Sequence, residues 1–350
     1  MKCVGVCGHF GMNHIILNGQ IVKTKVITQE LKNYFGEEEV VIVDTFGWKE
    51  NPFKLLVACV GLLISCKNIL ILPANNGVKV LIPLFVVLNV IYKRKIHYSV
   101  IGGWLPEFLE DHTKLLKWIT KMDTVYVETT SMKEKLNNLG LSNIVLMPNF
   151  KNIKVIEKSE LIINDREPYR LCTFSRVMKE KGILDAIKAV RSVNKIIGKP
   201  AFTLDIYGVI EDEFQADFEK ALSENVDCVD YKGFIQFDQS TVVLKDYYAL
   251  LFPTWYEGEG LPGTIIDAFS AALPVIASNW RYNSEIVEDG KTGLIYELDE
   301  SGRERGLIKV LKHVRDNPKI LLSMKEACLK EAEKYDAAAA MQKMILRLAV

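Results

Sequence analysis

Short apolar runs of about four to six residues, rich in β-branched side chains, alternate along this chain with longer stretches in which apolar residues recur every third or fourth position. In the first half, Lys2–Val6, Glu39–Asp44, Asn68–Leu72, Ile96–Ile101, Thr124–Val127 and Asn143–Met147 read as strands. Gly19–Phe35, Pro52–Cys66, Val78–Tyr92, Leu105–Lys121 and Thr129–Leu139 read as the helices between them. Strand and helix repeated at this spacing call for right-handed crossovers and a parallel sheet covered on both faces. Residues 151–168 have mixed charge and no clean period, and read as an interdomain connection. A second alternation follows, with strands at Tyr169–Ser175, Thr203–Tyr207, Val226–Tyr231, Ala249–Phe252, Pro274–Ala277 and Gly293–Tyr296. Its helices are Gly182–Ile197, Glu211–Ser223, Ser240–Asp246 and Gly263–Ala272, and a helical tail runs from Glu300 with boundaries at Pro318 and Tyr335. The predicted fold class is α/β, with two Rossmann-like, doubly wound parallel-sheet domains facing across a cleft. Residues 1–168, linker 151–168 included, form the first domain and 169–350 the second, whose last helix is expected to pack back toward the first. In such sheets ligands bind at the carboxyl ends of the strands.

Length and charge narrow the reading. The 350 residues exceed one typical core and suit two domains. Acidic and basic residues balance at 44 each, so no global field draws nucleic acid, and an anion must be held by local charge. Cys3, Cys7, Cys59, Cys66, Cys172, Cys228 and Cys328 are scattered without a CxxC pair. With no secretory pattern at the start, they read as reduced thiols of a cytoplasmic protein, and no zinc site is expected. Leu55–Cys66 and Val80–Tyr92 are markedly apolar, the second followed by Lys93-Arg94-Lys95. Each falls short of the roughly 20 residues that a spanning helix needs, and they read as buried helices on a parallel sheet. An apolar face ending in a basic cluster also suits peripheral contact with an anionic leaflet.

The stretch 253–278, PTWYEGEGLPGTIIDAFSAALPVIAS, carries the strongest chemical signal. Gly260, Leu261, Pro262, Gly263 and Thr264 lead into a helix, whose N-terminal N–H groups suit an anion. Glu259 lies in the loop and Asp267 eight residues on, inside the helix. Earlier in the same domain, Arg176 and Lys181 lie at the end of a strand and the start of a helix, placed to converge on one anion. Two such features on one sheet would share its carboxyl edge, and a diphosphate between them is the economical ligand. A dinucleotide reading fits less well: Gly8-His9-Phe10-Gly11 follows the first strand but is no GxGxxG fingerprint, and Asp44 alone is a weak signal. The glycines of that loop are better suited to letting a substrate approach the backbone.

Together, Ser175-Arg176, Lys181-Gly182, Asp205-Ile206-Tyr207-Gly208, Lys232-Gly233-Phe234, Pro253-Thr254, Glu259-Gly260-Leu261-Pro262, Asp267-Ala268 and Pro274-Val275-Ile276-Ala277-Ser278 resemble the family-4 (group 1) retaining glycosyltransferases of GT-B fold. The motifs occur in the family's order across 171–296. The first half is similar in its strand–helix alternation and its glycine-bearing first loop. Its Gly19-Gln20, Lys23-Thr24 and Ile101-Gly102-Gly103-Trp104 segments resemble those of bacterial polysaccharide-assembly members. The resemblance implies that Arg176 and Lys181 hold the donor diphosphate, that Glu259 contacts the transferred sugar and that Asp267 contacts the ribose. Asp stands where the family has Glu, one methylene longer. Glu257 competes for the sugar role, but the spacing to Asp267 favours Glu259. Gly260 to Thr264, with Gly8, Gly11, Gly102 and Gly103, are expected to approach the donor.

The implied function is metal-independent transfer of a sugar from a nucleotide sugar, on family frequency a UDP-sugar, to a hydroxyl of a glycan or lipid-linked acceptor. The configuration would be retained, and the setting would be bacterial capsule, O-antigen or exopolysaccharide assembly. No cofactor is expected, the nucleotide sugar being a substrate, and no nucleic acid partner. The enzyme is expected in the cytoplasm, meeting its acceptor at the inner face of the membrane. A sugar-nucleotide epimerase or hydrolase of related fold, or a non-catalytic sugar-nucleotide-binding subunit, are the alternatives. Relatives that carry a histidine after the fourth strand have no counterpart here: Gly102-Gly103-Trp104 stands there, and His97 falls at the strand's start. Trp104 and Trp255 are candidates either for stacking on a sugar or base or for core packing.

Overall fold

A computed structural model describes residues 1–11, 19–152, 154–299 and 301–349. Ile153, inside the expected connection, and Glu300, where the helical tail was placed to begin, lie outside the described residues. The chain divides into two compact units, Met1–Asn152 with Tyr335–Val350, and Ile153–Lys334. Most of the irregular connection 151–168 clusters with the second unit, where for example Ile156 N–H donates to the Ser270 carbonyl.

In the first unit, in chain order, come β1 (Lys2–Gly8), α1 (Gly19–Phe35), β2 (Val40–Asp44), α2 (Pro52–Ser65), β3 (Cys66–Leu72), α3 (Asn75–Tyr92) and β4 (Lys95–Ser99). They are followed by α4 (Leu105–Glu110), α5 (Thr113–Ile119), β5 (Thr124–Val127), α6 (Thr130–Asn138) and β6 (Ile144–Leu146). The helix expected over 105–121 is broken at Asp111-His112, where His112 Nδ1–H donates to the Phe108 carbonyl and the ring stacks on that of Phe108. The sheet is parallel, in the order β2-β1-β3-β4-β5-β6, and its order reverses at β1. Val4, Val6, Leu70 and Leu72 meet Ile27 and Leu31 of α1 in one core. The C-terminal helix, 337–348, closes the same core with Met341, Met344 and Leu348, and Asn68 Nδ2 donates to the Leu348 carbonyl at 2.9 Å.

The second unit holds β7 (Tyr169–Phe174), α7 (Ile183–Ile197), β8 (Phe202–Tyr207), α8 (Gln215–Ser223), β9 (Val229–Gly233), α9 (Ser240–Leu244) and β10 (Ala249–Phe252). Then come α10 (Gly263–Ser270), β11 (Val275–Ser278), α11 (Asn283–Ile286), β12 (Gly293–Tyr296), α12 (Glu304–Asp316) and α13 (Lys319–Ala332), and the chain returns to the first unit in α14 (Ala337–Leu348). The second sheet, also parallel, runs β12-β11-β10-β7-β8-β9. α7 buries Ile183, Ala186, Ile187, Val190 and Val193, a helical stripe that packs with α12 and β8 in the core of the unit. The strand order reverses between β7 and β10, so the loops leaving these two neighbours splay apart and make the crevice where this class of sheet binds ligands.

Candidate active site

At that reversal the two loops are fastened to each other by backbone. The segment after β7 turns through a single 3₁₀ turn, Lys179–Lys181, and enters α7 at Gly182, whose φ is 70°. A Cβ there would meet the Pro253 carbonyl oxygen at 2.1 Å, so only glycine allows the loop after β10 to lie this close. Trp255 N–H donates to the Glu180 carbonyl at 2.8 Å, and Ser278 Oγ donates to the Thr254 carbonyl from the end of β11. Lys181 and Glu259 are delivered to each other by this joint.

Lys181 Nζ donates to Glu259 Oε2 at 2.6 Å, and the same oxygen accepts from Thr254 Oγ1 at 2.9 Å. The two side chains are 10% and 8% exposed. Two aromatic rings flank Lys181, with Nζ 5.1 Å from the Tyr256 centroid and 5.5 Å from that of Phe252. Arg176 reaches the same Tyr256 ring from the other loop, its guanidinium carbon 5.7 Å from the centroid. Two cations thus lie against one aromatic ring, each held by a carboxylate that an incoming anion could replace. Arg176 is half-exposed and pairs at 2.6 Å with Glu211.

The glycine-rich stretch continues from Glu259 into α10. Gly260, Leu261 and Pro262 are buried, no side chain caps the helix, and Thr264 Oγ1 donates to the Phe174 carbonyl, joining the start of α10 to the end of β7. Arg176, Lys181, Glu259 and the 260–264 segment are thus brought together. Asp267 lies one turn into α10, buried, and accepts from Ser240 Oγ of α9 at 3.0 Å. Glu257 is exposed and pairs with Arg281 at 2.9 Å, which separates it from Lys181.

The remaining glycines named from sequence lie in the first unit. Gly8 ends β1, where a Cβ would press on Thr24 Cγ2 at 2.8 Å, and Gly11 and Gly102 have φ of 58° and 83°. Asp44 is a loop clamp there: Oδ1 accepts from the N–H groups of Phe10 and Phe46, both at 2.9 Å. Trp104 closes the Gly102-Gly103 turn, Nε1 donating to the Ile101 carbonyl at 2.8 Å, and meets Phe108 edge to face. Trp255 has the Arg303 guanidinium over its ring at 4.1 Å. Both tryptophans are therefore engaged within their own units. His97 is a core residue of β4, buried and stacked with Tyr126, and burial lowers its pKa to about 4.

Tyr256, Thr254, Glu211 and Ser240 were not assigned roles by sequence reasoning. Thr254 stands inside a motif, beside Pro253, and was the one with a readable signal. A concavity of about 790 Å³ elsewhere on the second sheet is lined by Arg170, Asp205, Asp230 and Lys232. Its charges pair with one another, Arg170 with Asp205 and Lys232 with Asp230, and Tyr247 donates to Asp205 at 2.6 Å; it lies away from the strand reversal, where this class of sheet binds ligands.

Residues 168–313 match the family model described as glycosyl transferases group 1. The chain carries a group 1 glycosyltransferase domain. The matched residues contain the β7–β10 reversal, Arg176, Lys181, Glu259 and Asp267. Among relatives, the GtfA subunit of the UDP-N-acetylglucosamine–peptide N-acetylglucosaminyltransferase of Streptococcus pneumoniae is 29% identical over 178 residues, covering 50% of this chain and 34% of that protein. The amylovoran biosynthesis glycosyltransferase AmsK of Erwinia amylovora is 26% identical over 202 residues, 55% of this chain and 49% of that protein. The chain thus spans half or less of the length of these curated relatives. The solved structure of Anabaena HepE in complex with UDP superposes with a TM-score of 0.77 over 100% of both chains at 13% identity. Two Rossmann-like units of the GT-B glycosyltransferase fold are what the group 1 domain is built into.

Proposed function

We propose that this protein is a glycosyltransferase that moves a sugar from a UDP-sugar to a hydroxyl of a glycan or lipid-linked oligosaccharide. The observation that carries the reading is the convergence of Arg176 and Lys181 on one ring, with Lys181 bonded to Glu259 at the mouth of a glycine-rich turn into α10. The UDP in the HepE complex and the UDP-N-acetylglucosamine in the name of GtfA support uridine as the base. The amylovoran biosynthesis in the name of AmsK supports an acceptor in bacterial polysaccharide assembly, whether of exopolysaccharide, capsule or O-antigen.

In this reading, negative charge grows on the β-phosphate as the bond from the anomeric carbon to its oxygen breaks. Arg176, Lys181 and the first-turn N–H groups of Gly263 and Thr264 are fixed where that charge forms, which costs no reorganisation during the step. Lys181 exchanges Glu259 for the diphosphate, and Glu259 is released toward the sugar hydroxyls. The acceptor oxygen bonds to the anomeric carbon from the leaving-group face, its proton passing to a donor phosphate oxygen, so configuration is retained without a carboxylate base or a metal. For Asp267 to take the ribose hydroxyls, it must exchange its Ser240 partner for them. The acceptor is placed at the inner face of a membrane, with the enzyme peripheral to it.

Incubation with a panel of UDP-sugars, with and without a lipid-linked acceptor, tests the reading, the product's anomeric configuration being read by NMR. Acceptor-dependent release of UDP with an unchanged anomeric centre is expected. Rapid hydrolysis or epimerisation without acceptor would discard transfer in favour of the related enzymes.

A further inference from the structure

α3 buries Val78, Leu81, Ile82, Phe85 and Val86, the spacing of a helix with one face on the core. The opposite face of such a helix is ordinarily polar. Here it carries Val80, Val87, Val90 and Ile91, the last two 74% and 77% exposed. α2 lies against α3, and because each returns the chain from one parallel strand of the sheet to another they run in the same direction. α2 turns Phe53, 72% exposed, with Val57 and Ile64 outward. Single exposed apolar residues are ordinary, but stripes on two adjacent helices mark a contact surface.

The charge carried by the two helices and by the segments that join them has one sign. From Asn51 to Pro106 the chain contains no Asp or Glu, although acids and bases balance over the whole sequence; its charged residues are Lys54, Lys67, Lys79, Lys93, Arg94 and Lys95. Lys67, Lys93 and Lys95 are exposed where α2 and α3 end, and Arg94 Nε donates to the Leu63 carbonyl, tying the two helix ends together. We propose that the α2–α3 face docks on an anionic lipid bilayer, its apolar stripes entering the acyl boundary and its basic rim meeting the headgroups. A second copy of the chain would bring like charges together, which disfavours a self-contact. Among the described residues α3 is the one helix long and apolar enough to span a bilayer, but its other face belongs to the folded unit, so it lies on the membrane rather than across it.

The inference rests on the membrane-borne acceptor proposed above, and vesicle binding separates the two. Sedimentation of the full chain with vesicles of phosphatidylcholine alone, and of phosphatidylcholine with about a third phosphatidylglycerol, is the test, with circular dichroism confirming that each variant is folded. Binding is expected only with the anionic vesicles, falling as salt rises. Val90→Glu with Ile91→Glu, both at exposed positions, should lower it by more than an order of magnitude. Removing Lys93 or Lys95 should cost about fivefold each. Transfer to a water-soluble acceptor should be unchanged in all of them. Equal binding by the Val90→Glu, Ile91→Glu variant, no binding by the parent chain, or a dimer in sedimentation velocity that this variant dissolves would each overturn the docking surface. Intact vesicle binding without transfer would instead overturn the transferase reading.

Discussion

Each unit contains a lysine bonded to a glutamate almost out of contact with water, and the two pairs differ in everything except their length. Lys23 and Glu128 in the first unit are 2.5 Å apart and 3% exposed each, and Lys23 Nζ also donates to the Val100 carbonyl at 3.0 Å. This pair ties α1 to the ends of β4 and β5, with two of lysine's three donors on fixed protein acceptors. Lys181 and Glu259 are 2.6 Å apart, but Lys181 is flanked by two aromatic rings, and Arg176 lies over one of those rings. A lysine with a carboxylate and a carbonyl is a structural member, whereas one with a carboxylate, aromatic rings and a second cation nearby can exchange its partner for an anion.

The largest expected effect falls on the closed pair. Lys23→Ala leaves the Glu128 carboxylate buried without its cation, which should cost about 3–5 kcal/mol, whereas Lys23→Met with Glu128→Leu should restore most of it. Thermal unfolding of the three variants measures this. In each, the gain in Tm on adding UDP should match that of the parent, because the pair takes no part in donor binding. A double variant as unstable as the single one would mean that the pair contributes more than the avoidance of a stranded charge.

For the open pair, the loss should appear in chemistry. Lys181→Ala removes one preorganised cation from the leaving group, and a decrease of about 10²–10³ in kcat is expected. The Tm gain with UDP should shrink as the donor loses its contact. Unchanged turnover and an undiminished gain would show that Lys181, like Lys23, is a structural member.

Much of this contrast was legible in the residues, and its limits were physical. Strands such as Thr124–Val127 and Ala249–Phe252 are found where the apolar runs placed them, because a strand buried on both faces has no other pattern to follow. Arg176, Lys181 and Glu259 were singled out by residue type at loop positions, and the fold brings them near one another. The partners Tyr256 and Glu211 were not, since contacts between loops 35 or more residues apart leave no local period. The apolar character of α3 was plain, but whether it faced the core or the surroundings depended on what packs on its second side. The break after Glu110 was hidden because Leu105–Lys121 keeps its apolar spacing across it.

His97 shows what the interior of the first unit does with an ionisable group that lacks a partner. Neither ring nitrogen has one among the described residues, and burial, opposed by nearby Asp123 and reinforced by Lys95 and Arg347, brings the pKa down to about 4. In the unfolded chain the imidazole takes up its proton near pH 6.5. Between those values the unfolded state binds more protons, so stability should fall as pH drops from about 6.5 to 4 and be indifferent to this group above that window. The full effect is about 3 kcal/mol. His97→Phe, which keeps a ring against Tyr126, should gain on the parent chain by that amount across the window. A difference in Tm that does not vary with pH would show that His97 is not held neutral.

The smallest effect expected is the one that best tests which carboxylate belongs to the open pair. Glu257 and Glu259 are two residues apart, and sequence favoured Glu259 only by its spacing to Asp267. Glu257 is exposed and bonded to Arg281 at 2.9 Å, the kind of surface pair whose removal costs about 0–1 kcal/mol. Glu257→Gln should therefore leave kcat within about twofold and barely move the Tm. Glu259→Gln frees Lys181 from its counter-charge, and should raise affinity for UDP while lowering transfer of the sugar, splitting binding from turnover. If the split appeared in Glu257→Gln instead, the sugar-facing carboxylate would be the exposed one, and the contact between Lys181 and Glu259 would be a structural tie of the same kind as Lys23 and Glu128.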